Sequence, residues 1–119
     1  MEEGRDVTLP CSLREDITNK KFEWKKDGRQ VFLYHDGIHS NNINTGQDQQ
    51  FKGRVSHFLH ELKSGDASIT ISNIKVFDSG VYTCEFPDLQ PRQIFYVKLI
   101  VFGEFFDKTL IYPQNSFKH

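Results

Sequence analysis

The sequence predicts an all-β fold, a sandwich or a barrel of antiparallel strands. Short runs rich in Phe, Val, Ile, Thr and Tyr alternate apolar with polar residues at a period of two, as half-buried strands do. Turn signals such as Asp27-Gly28 and Asp36-Gly37 interrupt these runs at short intervals. No stretch rich in Ala, Leu or Glu carries an amphipathic helix, and neither an internal repeat nor a low-complexity block is present.

The elements follow in order. Val7, Leu9 and Cys11 alternate with Asp6, Thr8 and Pro10. Phe22 and Trp24 alternate with Glu23 and Lys25, and Asp27-Gly28 turns the chain into a strand from Gln30 to His35. Residues 38–50 are polar and read as a short edge strand plus a loop. Arg54 to Leu59 is the next strand, and Lys63 to Asp66 turns it back. Ser68 to Ile74 puts Ile69 and Ile71 inward, and Val81 to Phe86 carries Cys84. After the loop Pro87 to Arg92, Gln93 to Val101 sets Phe95, Val97, Leu99 and Val101 on one face. About eight strands with short connections imply antiparallel pairing.

A chain of 119 residues fits one domain. With 15 basic against 16 acidic residues, the net charge of −1 argues against a nucleic-acid partner, which calls for a basic excess. No apolar run approaches the roughly 20 residues that span a bilayer. The opening MEEGRDV is acidic and lacks an apolar core, so no signal peptide is visible. A Met set directly before a strand pattern reads as the start of a piece cut from a longer chain, whose leader and anchor would lie outside it.

Cys11 and Cys84 fall on separate strands, both on the inward parity, and Trp24 is inward as well. A disulfide between two facing sheets needs a large apolar plate beside it, which an indole provides. Closing that loop would stabilise the fold by roughly 4 kcal/mol through chain entropy, and it implies an oxidising compartment. The other readings are a metal site and a reactive thiol. The five histidines stand at no ligand spacing to the cysteines, and no CxxC occurs. Gly80 allows a tight turn before the last cysteine strand. Tyr82, two residues before Cys84, is placed for a tyrosine corner. Asp78 requires a cation, and Arg54 at the start of a neighbouring strand is its expected partner.

The set DVTLPC, FEWKKDG, FKGRV, SITISNI and DSGVYTC resembles an immunoglobulin V-set domain over residues 4–102. Within that superfamily VTLPC, WKKDGRQVFLYHDG and QFKGRVS are similar to the membrane-distal domain of the butyrophilin group, which includes myelin oligodendrocyte glycoprotein and T-cell costimulatory ligands. The resemblance implies an immunoglobulin-like two-sheet antiparallel sandwich over residues 1–102, with 103–119 as an extension or linker. It also implies a membrane-anchored parent, an extracellular address at the plasma membrane, no cofactor, and a protein partner on another cell.

The chain departs from that pattern in places. Only ten residues precede Cys11, so the leading A strand is expected to be truncated or missing, leaving an apolar groove or an unpaired edge. The tail GEFFDKTLIYPQNSFKH contains the β-prone TLIY. It is open between a linker, a disordered tail, and a strand covering the vacant edge in the same or a neighbouring molecule, the last giving a homodimer by exchange. The F-G-x-G of rearranging receptors is missing before the last strand. The strand of Cys84 offers Val81, Thr83 and Glu85 outward rather than the arginine of sialoside-binding domains.

No G-x-S-x-G, phosphate-cradling glycine loop or HExxH occurs, so an enzyme is not expected. No N-x-S/T sequon occurs either, which leaves every face open to contact. Lys20, Lys21, Lys25 and Lys26 cluster, but Glu23 and Asp27 interrupt them, as on a solvated face. The expected contact surface is the outer face of the sheet holding the Trp24 and Cys84 strands. Its expected contact residues are Lys25, Phe32, Tyr34, Glu85, Tyr96 and Lys98, with Leu89 at the tip loop as an apolar anchor. The competing reading packs these aromatics under loops or along sheet edges and makes the tip an ordinary tight loop. Homophilic adhesion through the same sheet is the alternative function.

Overall fold

A computed structural model describes residues 4–35, 38–39, 46–102 and 109–115. Among the described residues nine strands form: β1 (Val7–Leu9), β2 (Lys21–Lys26), β3 (Arg29–His35), β4 (Ile38–His39), β5 (Val55–His57), β6 (Ile69–Ile71), β7 (Gly80–Phe86), β8 (Gln93–Val101) and β9 (Thr109–Asn115). Short 3-10 turns cover Gln49–Phe51, Leu59–Ser64 and Val76–Asp78. A three-stranded sheet runs β1-β6-β5 and a six-stranded sheet runs β4-β3-β2-β7-β8-β9, and every described pairing is antiparallel. The expected all-β two-sheet sandwich is the observed fold.

The core lies between the sheets. Val7, Leu9, Ile69, Ile71 and Val55 from the small sheet meet Phe22, Trp24, Tyr82, Cys84, Val97 and Leu99 from the large one, all buried. Phe22 packs against Phe32 (6.2 Å), Tyr34 (5.1 Å) and Phe86 (5.9 Å), one aromatic cluster within the core. Cys11 and Cys84 are joined across the layers with Cα atoms 6.5 Å apart. Trp24 is fully buried, and its indole N–H donates to the Ala67 carbonyl at 2.8 Å, so the plate carries no unpaired polar atom.

One end of the sandwich is tied by a polar cluster. Arg54 Nη2 donates to Asp78 Oδ2 at 2.5 Å and Nη1 donates to Oδ1 at 3.3 Å. Gln50 Nε2 and the Lys75 N–H also donate to that carboxylate, at 2.7 and 2.8 Å. The rest of the guanidinium reaches the Ser72, Gln50 and Asn73 carbonyls. Burial alone would push the Asp78 carboxyl up, but the hydrogen bonds from Arg54, Gln50 and Lys75, with the Arg54 charge, hold it below its ordinary value. Tyr82 Oη donates to the Asp78 carbonyl at 2.5 Å, which makes the corner expected from the sequence. Burial, with the Asp78 charge, pushes that phenol well above the usual tyrosine range.

Three expected contact residues are corrected. Phe32 and Tyr34 point into the core, at 0% and 1% exposure. With a regular register beyond the Asp27-Gly28 turn, they would stand opposite Glu23 and Lys21 and face outward. Instead the register shifts between Trp24 and Lys25, so Phe32 pairs with Trp24 and Tyr34 with Phe22. Cross-strand partners share a face, and one extra residue reverses the parity of everything beyond it. Tyr34 Oη then donates to the Thr18 carbonyl at 2.5 Å. Leu89, expected as an exposed anchor, is half-buried and packs against the core.

The small sheet is extended by the N-terminal segment. Gly4 N–H donates to the Ile74 carbonyl at 2.6 Å, and Ile74 N–H returns to the Arg5 carbonyl at 2.8 Å. Gly4 and Arg5 therefore lie on the β6 side, and β9 takes the outer edge of β8. Residues 103–108, expected with the tail as extension or linker, lie outside the described residues.

Gly65 shows how closely two loops approach. It sits at φ +91°, and an added Cβ would lie 1.9 Å from the Leu13 carbonyl oxygen. Gly28, at φ +79°, has open space around its Cβ position. Gly28→Ala is expected to cost about 1 kcal/mol, the left-handed penalty alone. Gly65→Ala adds a backbone clash and should cost at least about 2 kcal/mol in urea unfolding.

Candidate functional site

The outer face of the six-stranded sheet follows from the registers. Residues opposite one another in an antiparallel pair share a face, so each outward residue fixes its neighbours. Glu23 stands between Leu33 and Glu85, and Glu85 stands opposite Ile94. The next row runs Gln30, Lys25, Thr83, Tyr96. Beyond it Val81 faces Lys98 across β7–β8. Gln114, Tyr112 and Leu110 of β9 occupy the register positions opposite Tyr96, Lys98 and Ile100.

Two carboxylates, Glu23 and Glu85, therefore stand directly opposite each other, an arrangement that repels. Two cations offset it. Lys25 Nζ lies 3.9 Å from Glu23 Oε1 and 3.8 Å from Glu85 Oε1. Arg92 Nη2 donates to Glu85 Oε1 at 2.5 Å, and the Thr83 hydroxyl donates to Glu85 Oε2 at 3.1 Å. Glu85 is on the outer face as expected but is only 8% exposed, because its neighbours cover it. Its carboxylate is already desolvated and oriented, so little ordering remains to be done on contact.

Beside this charged centre lies an apolar flank. Ile94, Tyr96 and Ile100 on β8 and Leu33 on β3 are half-buried, Val81 is 41% exposed and Lys98 is exposed. Of the residues expected to make contact, Lys25, Glu85, Tyr96 and Lys98 share this face, whereas Phe32, Tyr34 and Leu89 do not. Sequence reasoning missed Arg92. The available signal was an acid and a base, Glu85 and Arg92, at the two ends of one hairpin loop.

Among the described residues, no group of three or more His, Cys, Asp or Glu side chains is placed to hold a metal, and no helix is long and apolar enough to cross a membrane.

A two-sheet sandwich clamped by one inter-sheet disulfide, with a buried tryptophan beside it, a tyrosine corner and an Arg–Asp tie at one end, defines a variable-type immunoglobulin domain. The comparison with known families agrees: residues 1–102 match the immunoglobulin V-set domain family. The chain belongs to the V-set family, which is non-enzymatic. It is 30% identical to the human V-set domain-containing T-cell activation inhibitor 1, over 68% of this chain and 29% of that protein. It is 31% identical to the CD276 antigen homolog of Xenopus laevis, over 96% of this chain and 38% of that protein. The human B7-H4 IgV-like domain superposes with a TM-score of 0.65 at 22% identity, covering 97% of this chain and 86% of that one. The chain thus spans about a third of the length of these curated relatives.

Proposed function

We propose that this domain is an extracellular protein-recognition module of an immune cell-surface receptor or costimulatory-type ligand. It binds a receptor or counter-ligand on another cell through the outer face of the six-stranded sheet. The observation that carries the reading is the pre-oriented Lys25–Glu85–Arg92 centre beside the apolar flank of Ile94, Tyr96 and Val81. Desolvated charge next to partly exposed aliphatic and aromatic side chains is the make-up of an interface with anchors and a polar rim. The disulfide supports an oxidising, extracellular setting. The names of the relatives, in T-cell activation and as a CD antigen, support the immune context.

The test is binding of a fluorescent multimer of the domain to activated T cells. Lys25→Gln and Tyr96→Ser should each weaken staining about tenfold, a loss of about 1.4 kcal/mol, with the domain still folded. Staining that survives both changes places the contact on another face.

The mixed charge of this face also supports homophilic adhesion. Lys25 and Arg92 on one copy complement Glu23 and Glu85 on another, as a two-fold contact requires. Sedimentation of the domain alone separates the readings. Self-association abolished by Lys25→Glu favours the homophilic one.

A further inference from the structure

We propose that the occupant of the outer face is a protein surface that brings an aspartate or glutamate over Lys98. The inference rests on the outer-face reading above and deepens it by naming the chemistry that face requires. The face carries Lys21, Lys25, Arg92 and Lys98 against Glu23 and Glu85. The chain as a whole has 15 basic and 16 acidic residues, so this is a local excess of positive charge. The four cations are not equivalent. Lys25 and Arg92 are committed to the Glu23–Glu85 pair, and the centre neutralises itself. Among the described residues no carboxylate lies within ion-pair distance of Lys98 or of Lys21.

The position of Lys98 sets it apart. It is exposed, Val81 stands opposite it on β7, and Tyr96 and Ile100 lie two positions away along β8 on the same face. A partner that covers this apolar flank also covers the ammonium between those side chains. Stripping water from an unpaired ammonium costs more than burying one aliphatic neighbour returns, unless a counter-charge arrives with the partner. The face does not hold that counter-charge in reserve. A second copy would supply Glu23 or Glu85 only by giving up Lys25 or Arg92. The occupant is therefore a different protein with an acid set among apolar side chains. Lys21 lies at the other end of β2, opposite His35 and away from the flank. It draws an acidic surface nearer without requiring a partner of its own.

The probe is the fluorescent multimer on activated T cells, in isotonic buffers of low and physiological salt balanced with sucrose, each variant being checked for folding by circular dichroism. Lys98→Gln should weaken staining about tenfold, and Lys98→Glu further. Lys98→Arg should stay within about threefold of the parent and Lys21→Gln within about twofold. Staining by the parent should fall as salt rises, and less steeply in Lys98→Gln. A zero-length carbodiimide cross-link on the stained cells should join Lys98 to an Asp or Glu of a cell-surface protein, and Lys98→Arg should bind without that link. Equal losses in Lys98→Gln and Lys21→Gln would mean that net charge alone attracts the partner, and overturn the proposal. Staining unchanged by Lys98→Gln while Tyr96→Ser weakens it overturns the proposal and leaves the outer-face reading standing. Staining that survives Tyr96→Ser as well removes both. Asp27 is exposed in the turn at the border of the face. Self-association in sedimentation that both Lys98→Gln and Asp27→Asn abolish would make the acid a second copy's own, and overturn the assignment to a different protein.

Discussion

Replacing Cys11 and Cys84 together by Ala is expected to lower the unfolding free energy by about 4 kcal/mol. The bridge closes a sequence separation of 73 residues, and chain entropy alone accounts for most of that figure. The loss is comparable with the whole stability of a small domain, about 5–15 kcal/mol. Guanidinium unfolding monitored by the fluorescence of the single tryptophan measures it directly. Trp24 is fully buried beside the bridge, so its emission reports opening of the core. A double variant that unfolds within about 1 kcal/mol of the parent would show that the layers hold without the bridge.

Asp78→Asn should cost about 3 kcal/mol, because it leaves the Arg54 charge partly buried without its counter-charge. The pH dependence carries the same signature. In the folded state the Asp78 carboxyl is held below its ordinary value, so the unfolded chain binds a proton more readily than the folded one. The stabilisation is fully present above the unfolded value, near pH 4. It is lost as the pH falls through the lower, folded value. Between neutral pH and about pH 4 the difference between parent and variant should hold steady. Further into acid it should shrink. A difference that instead widens below pH 4 would mean that the carboxyl is protonated more readily in the folded state. Arg54→Ala should cost a similar amount and change the acid dependence from this site, because only Gln50 and the Lys75 N–H then oppose the burial of the Asp78 carboxyl.

The parts of the fold that were legible in the sequence are those pinned by an inward reference point. Cys11, Trp24 and Cys84 set the parity of three strands, and period-two alternation carries it along Phe22, Tyr82, Val97 and Leu99 without interruption. Asp78 and Arg54 were legible because a buried acid requires a cation and few bases stand near a strand start. Parity failed on β3 because it runs only as far as the register is regular. One extra residue opposite Trp24/Lys25 turned Phe32 and Tyr34 inward, and no local propensity marks that bulge. Leu89 failed for a different reason. Its loop folds back onto the core, a tertiary contact that turn chemistry does not announce. β9 was legible as β-prone in TLIY, but its partner was not, because pairing with the outer edge of β8 is a tertiary contact that local propensity does not specify.

The Cys11–Cys84 bridge also has a mechanical meaning. When a chain like this is pulled by its two ends, tension crosses from residue 11 to residue 84 through the sulfurs and bypasses everything between them. Fewer than half of the residues can then lengthen under load. The outer face carried on β2, β3 and most of β7 lies inside the shielded loop. That part of the surface keeps its shape while β8 and β9 peel, so under load the domain gives way at the β8–β9 edge, carrying Arg92, Ile94 and Tyr96 away, before β2 and β3 distort.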